Sequence, residues 1–409
     1  MKCLGISMVA AFVSIAASAA PRVEAVSVAL EGNGLVKVTY NLKDEPGIVL
    51  IDVFADGEPV GEDKVIHAVG DVGRRLDVGD NKTIWWAWER DAPEIEGAKI
   101  SVSVTAYSLS APPDIMVLDL KSVNGYSFFK SESGLPGGGL TNDMYRTSKL
   151  VMKKVHAKGV KFLCGFPGAS SSRLKPFLAD FTYDYYLGVF EVTQAQQMLM
   201  DASPHSTCIN DEEAPLRPVD AVNWQDLRSS CHWPDSSTGK FDHDNITSDC
   251  LLMKFRRCGL KIDLPTDVEW EYACRAGTHT RFANGTDTES GLSRMGWYSN
   301  NAQGMTHPVG SKDSNDWGFY DMHGNVQEWT IEWFRYSEMQ NRTEETKTDW
   351  FGLSAPDEPP YGISKPVRGG SIYRTWENCS SHSADNRNYN ATRDNAYIGY
   401  RLCVRAEIP

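Results

Sequence analysis

The 409-residue chain is poor in the short signatures by which a reaction is usually read from sequence. Gly-x-Ser-x-Gly, Gly-x-x-x-x-Gly-Lys-Ser/Thr and His-Glu-x-x-His are absent. That removes the nucleophile elbow, the phosphate-cradling loop and the two-histidine zinc helix. No two cysteines stand as Cys-x-x-Cys, so a zinc knuckle is not expected. Positive charge is also short: 41 Lys and Arg against 54 Asp and Glu give a formal charge of −13, which repels polyphosphate and excludes nucleic acid as a partner. Beyond the first residues no stretch is long and apolar enough to span a bilayer, and no internal repeat is visible.

What the chain does contain is a leader, an even set of cysteines and many tryptophans. Met1-Lys2, the run Leu4 to Ala17 and the small-residue site Ala17-Ser18-Ala19 read as a secretory signal peptide over residues 1–19, which places the protein in the periplasm or outside the cell. Cys3 stands too near the start to serve as a lipid anchor after processing. Eight cysteines remain: Cys164, Cys208, Cys231, Cys250, Cys258, Cys274, Cys379 and Cys403. In an exported chain an even count favours disulfides, and the count leaves the pairing open. With 41% apolar residues and 12 Trp the chain is globular, and its length suggests two domains.

The first is predicted over residues 20–110. Val36-Lys37-Val38-Thr39-Tyr40 and Ile100-Ser101-Val102-Ser103-Val104 alternate with period two, and Asp56-Gly57 marks a turn, so a small all-β sandwich of the immunoglobulin or fibronectin sort is expected. Trp85, Trp86 and Trp88 suggest either a sugar-stacking platform or, since Trp86 points opposite its neighbours, core residues. Pro112-Pro113 and the loop Gly134 to Gly139 bracket an expected linker at 111–144. From Tyr145 onward regular periodicity fades, apart from helical stretches around Leu251 to Cys258 and Val268 to Ala276, the latter opened by a Thr266/Glu269 capping box.

Five ordered blocks occupy this second region. They are Tyr186-Leu187-Gly188-Val189-Phe190-Glu191-Val192-Thr193; Arg217-Pro218-Val219 with Val222-Asn223-Trp224; Leu264 to Gly277; Trp317 to Trp329; and Arg368-Gly369-Gly370-Ser371 closing with Gly399-Tyr400-Arg401. Together they resemble the sulfatase-modifying-factor, or formylglycine-generating, family over residues 145–409. The resemblance implies an α+β domain with a C-type-lectin-like fold. It also implies calcium as a structural cofactor at Asp321, Gly324, Val326 and Glu328, where two carboxylates bracket a loop that offers carbonyl oxygens to a hard cation. The alternative is that Asp321 caps a turn and Glu328 pairs with an arginine.

The family's oxidases hold copper(I) between two thiolates, three and eight residues after Gly-Gly-Ser. Here those positions are Arg374 and Cys379. One thiolate does not make the pair, and a fixed guanidinium opposes a bound cation. A groove tryptophan of the family is Gln327, whereas Arg387 matches a substrate-binding arginine. Cys379 is expected in a structural disulfide with Cys274 as partner, and Cys231 and Cys403 fall at or next to positions bridged in related enzymes. The iron-binding His-x-x-x-His-x-Glu of the sulfoxide synthases is absent, and Asp242-His243-Asp244 lies in a polar insert. The expected function is recognition of a peptide, protein or glycan ligand outside the cytoplasm, in a groove that includes Ser371, Arg374, Trp376, Gln327 and Arg387. The alternative is a formylglycine-generating oxidase with Cys379 catalytic and copper as cofactor.

Overall fold

The alternation near the N-terminus closes into two antiparallel sheets. In the first the order is Arg22–Glu31, Leu35–Lys43, Gly79–Trp86, Ala68–Gly70. In the second, Gly47–Ala55 pairs with Ile100–Ser108 along its whole length, from Gly47 opposite Ser108 to Ala55 opposite Ile100, and with the short Glu58–Pro59 and Arg75–Leu76. Val36, Val38, Tyr40 and Leu42 turn inward at every second position against Val49, Ile51 and Val53. Trp86 is fully buried, and its indole donates to Asp91 at 3.0 Å. Trp85 faces out beneath Lys37, so the tryptophans divide between core and surface and build no common platform.

The computed structural model describes residues 20–31, 34–122, 125–166, 175–201, 206–228, 250–256, 259–332, 347–348, 364–388 and 396–405. The leader, Cys231, Cys258 and Asp242-His243-Asp244 lie outside them.

The expected linker at 111–144 is corrected. Ile115–Asp119 and Tyr126–Phe129 are strands of a six-stranded sheet in the order Tyr126–Phe129, Ile115–Asp119, Lys149–Val155, Tyr185–Gly188, Cys403–Arg405, Ile262–Asp263. The reason is the run Ile115 to Leu118, buried on both faces: Met116 and Leu118 enter one core cluster, Ile115 and Val117 another. Nor are the two modules loosely tethered. Ile48 of the sandwich belongs to the same core cluster as Met116, Leu118 and Phe128. The Phe128 N–H donates to the Gly73 carbonyl at 2.6 Å, Lys130 pairs with Asp52, and Ser131 Oγ donates to Glu62 at 2.6 Å.

The helix Asp267–Arg275 starts where its sequence signals a start. Thr266 Oγ1 accepts the Glu269 N–H at 3.0 Å, and Glu269 Oε2 accepts the Thr266 N–H at 2.6 Å. It ends at Ala276, whose backbone is left-handed with φ 46°. The helix expected around Leu251 to Cys258 spans Leu251–Phe255. A second sheet, in the order Ala384–Asn388, Ser364–Arg368, Gln327–Trp329, Ile398–Gly399, carries the candidate site.

Candidate functional site

The strand Ser364–Arg368 ends in Gly369-Gly370, and the chain then loops through Ser371 to Cys379. Gly370 has φ 75°, and a Cβ there would stand 2.4 Å from Cys379 Sγ, so glycine lets the backbone lie directly on the thiol. Cys379 is wholly buried among Phe282, Leu292 and Tyr298, with Trp376 against them. Its Sγ–H points to the Thr375 carbonyl at 3.7 Å. Burial pushes the thiol up to about 12, against the opposing pull of the Ser371 backbone, so the group is a neutral thiol at pH 7.

Arg374 turns the other way. Its guanidinium forms an ion pair with Asp385 on the neighbouring strand. The two line a pocket of about 250 Å³ together with Gln327, Gly370, Asn378 and Ser383. Of the residues expected in the groove, Arg374 and Gln327 therefore meet. Ser371 is buried beneath the loop, with Oγ accepting the Tyr373 N–H at 3.4 Å. Trp376 lies elsewhere, with ring centroids 6.2 Å from Phe282 and the Arg281 guanidinium 5.8 Å away. Arg387 sits opposite Lys365 in strand register, and its side chain lies outside the described residues, as do Tyr389 and Asn390.

The expected Cys274–Cys379 disulfide is corrected: both are thiols, as are Cys164, Cys208, Cys250 and Cys403. His323 contacts both Cys274 and Cys379. Its Nε2 is 3.7 Å from Cys274 Sγ and accepts the Ala283 N–H at 3.1 Å, while Nδ1 donates to the Cys379 carbonyl at 2.8 Å. Neither Cys164, which donates to Glu271 Oε2 at 3.3 Å, nor Cys208 belongs to the apolar cluster around Cys379.

The residues expected to hold calcium fall in a buried acidic cluster. Both Glu328 oxygens accept from Arg401, at 2.8 to 3.2 Å, and Oε2 also accepts the Trp270 indole N–H at 2.8 Å. Asp321 Oδ2 accepts the Gly310 N–H at 2.7 Å, and its Oδ1 is buried with no hydrogen-bond partner among the described residues. Glu191 completes the cluster, accepting from Asn325 Nδ2 at 2.8 Å and the Val326 N–H at 3.1 Å. Burial raises the carboxyl of Asp321 to about 6 and that of Glu191 well above its ordinary range, with Asp321 and Glu328 adding to the latter. A cage of Asp321, Gly324, Val326 and Glu328 does not fit this arrangement, because Glu328 is fully engaged by Arg401 and Trp270. Among the described residues no three His, Cys, Asp or Glu side chains gather to hold a metal.

Sequence reasoning missed Asp385, Asn378 and Ser383 in the pocket and gave no role to Glu191 or Arg401. A signal for Glu191 was present: a carboxylate inside the apolar run Val189 to Val192 demands a buried partner. None pointed to Asp385.

Residues 142–406 match the family described as Sulfatase-modifying factor enzyme 1-like domain. The chain is 31% identical over 197 residues to "Chaperone protein LppX" of Paenibacillus barcinonensis, covering 39% of this chain and 66% of that protein. It is 27% identical over 221 residues to the formylglycine-generating enzyme of Bos taurus, covering 50% of this chain and 48% of that enzyme. Less than two thirds of either relative is spanned. Among solved structures, Treponema denticola variable protein 1 is similar at 23% identity and a TM-score of 0.47, covering 63% of this chain and 95% of that one. The family match takes in well over half of the chain, which therefore belongs to the sulfatase-modifying factor enzyme 1-like family.

Proposed function

We propose that the pocket over Gln327, Arg374 and Asp385 recognises polar groups of a peptide, protein or glycan ligand outside the cytoplasm, and that the chain does not carry out the family's thiol oxidation. The observation that carries this reading is the ion pair between Arg374 and Asp385 at the position of the first family thiolate. The second position, Cys379, is a buried neutral thiol whose surroundings are apolar. Copper(I) needs soft ligands, and this site supplies one inaccessible sulfur beside a permanent cation. The residues thus do not fit copper, and no step is assigned to it.

What the pocket offers is hydrogen bonding. The Gln327 and Asn378 amides, the Ser383 hydroxyl and a guanidinium oriented by its carboxylate form a small polar surface of fixed geometry. A ligand-display role of the C-type-lectin kind is part of this reading.

The test uses the purified full chain with copper(I) and a peptide carrying Cys-x-Pro-x-Arg in buffer saturated with dioxygen. The expected result is no stoichiometric copper and no aldehyde. Copper bound one to one, with turnover lost on Cys379→Ser, establishes the oxidase instead.

A further inference from the structure

Between the sandwich and the second domain lies a cavity of about 370 Å³ that the function proposed above does not use. Its floor is one face of the six-stranded sheet. Val117 stands opposite Ser127 in register, Asp119 stands opposite Lys149, and Phe129 continues the same face two residues beyond Ser127. The sandwich supplies the facing wall through Leu50, Val65, Ile66 and Val72, and Pro136 with Tyr145 closes a third side. Val65 and Val72 pack on the sandwich core with one side and leave the other toward the cavity, only partly covered.

Both lysines of this lining are paired with carboxylates, and its remaining carboxylate, Glu62, is held by a hydroxyl. Asp119 and Lys149 pair at 3.1 Å, Lys130 pairs with Asp52, and Glu62 accepts from Ser131 Oγ at 2.6 Å. The Tyr145 hydroxyl donates to the Pro136 carbonyl at 2.8 Å. The Ser127 hydroxyl, in the middle of the floor, has no hydrogen bond to the protein among the described residues. An anion entering here would meet no unpaired lysine, and a cation would meet only Glu62, already bonded to Ser131; either would lose its hydration. An apolar body instead covers the partly exposed branched side chains, at roughly 25 cal/mol for each Å² removed from water. The lining mixes these branched and aromatic side chains with paired charges and serine hydroxyls, and sites of this volume placed between domains are typical of small-molecule binding.

From this geometry we infer that the junction cavity is a binding site for a neutral, mainly apolar small molecule with one polar group hydrogen-bonded to Ser127 Oγ. Because both modules build the walls, the ligand bridges them and stabilises their docking.

The probe is N-phenyl-1-naphthylamine, a neutral aromatic amine whose fluorescence rises in apolar surroundings, titrated into the full chain. Saturable enhancement is expected, with a rise in the thermal unfolding midpoint at saturation. Ser127→Trp fills the floor and Ile66→Trp fills the opposite wall, and each is expected to weaken binding at least tenfold. Ser127→Ala keeps the space and removes the hydroxyl, for a loss of roughly twofold to tenfold. Circular dichroism checks the fold, and the two tryptophan variants lie on different modules, so misfolding of one leaves the other to decide. Absence of saturable binding to the unmodified chain, or affinity within twofold of it in a folded tryptophan variant, overturns the assignment. Because Gln327, Arg374 and Cys379 are untouched, the outcome is independent of the reading of the other pocket.

Discussion

The two halves of the molecule solve the problem of a stable core in opposite ways. In the sandwich the interior is apolar, built from Val36, Val38, Tyr40, Ile84 and Trp86, and ion pairs such as Arg22–Asp44, Lys43–Asp80 and Lys64–Glu94 lie at the surface. In the second domain, buried guanidinium groups are threaded through the core. Arg401 pairs with Glu328, Arg368 with Asp267, Arg405 with Glu269 and Arg228 with Asp263, at sequence separations from 35 to 136 residues. The difference teaches where specificity resides. An apolar sandwich core tolerates exchange of one aliphatic residue for another, whereas a buried pair fails when either partner is lost.

Removing an arginine from the second domain is the sharpest way to test this contrast. Arg401→Ala leaves Glu328 uncompensated beside Asp321 and Glu191, and is expected to cost about 3 to 5 kcal/mol in urea unfolding. A loss below about 1 kcal/mol would show that the cluster is not an electrostatic keystone. Ile48→Ala tests whether the halves are separate at all. Ile48 lies on a sandwich strand but in the second domain's core, so its loss should cost roughly 2 to 5 kcal/mol and lower one shared transition. Two transitions, with only the sandwich affected, would restore the picture of independent modules.

Smaller effects sharpen the comparison within the second domain. Thr266→Ala removes one arm of the capping box and should cost about 0.5 to 2 kcal/mol, measured in the same way. His382 gives a pH dependence. Burial lowers this imidazole to about 4, so the folded chain binds fewer protons there than the unfolded one. Its contribution to stability is complete above about pH 6.5 and is lost as the pH falls toward about 4. Unfolding midpoints of the protein and of His382→Gln should converge over that window, and parallel curves would refute the assignment. The smallest effect concerns calcium. A cage lacking Glu328 predicts that a chelator shifts the thermal midpoint by less than about 1 °C, whereas an ion at 100 times its Kd would contribute roughly 2.7 kcal/mol.

Particular residues show how far the sequence reaches. The alternation from Val36 to Tyr40 and the Thr266/Glu269 signal are local, and both appear in the structure as read. The run Ile115 to Leu118 is equally local, but the prolines before it and the glycines after it give a linker signal that masks two strands. At the site, the residue types three and eight positions after Ser371 were plain, and the scarcity of thiols with them. The absence of a bridge to Cys274 is not legible in sequence, because His323, from a third segment, contacts the Cys274 thiol on one side and the Cys379 carbonyl on the other.

The sequence by itself determined the family blocks, the sandwich alternation, the start of the helix at Asp267 and the replacement of a paired thiol by Arg374. Each depends on residues within a few positions of one another, where backbone geometry sets who can meet. The tertiary structure alone decided that Arg374 pairs with Asp385, that Arg401 is spent on Glu328, and that the sandwich docks to leave a cavity over Ser127. Those contacts join segments whose order along the chain carries no information about their separation in space, and packing selects them only once the whole core has formed.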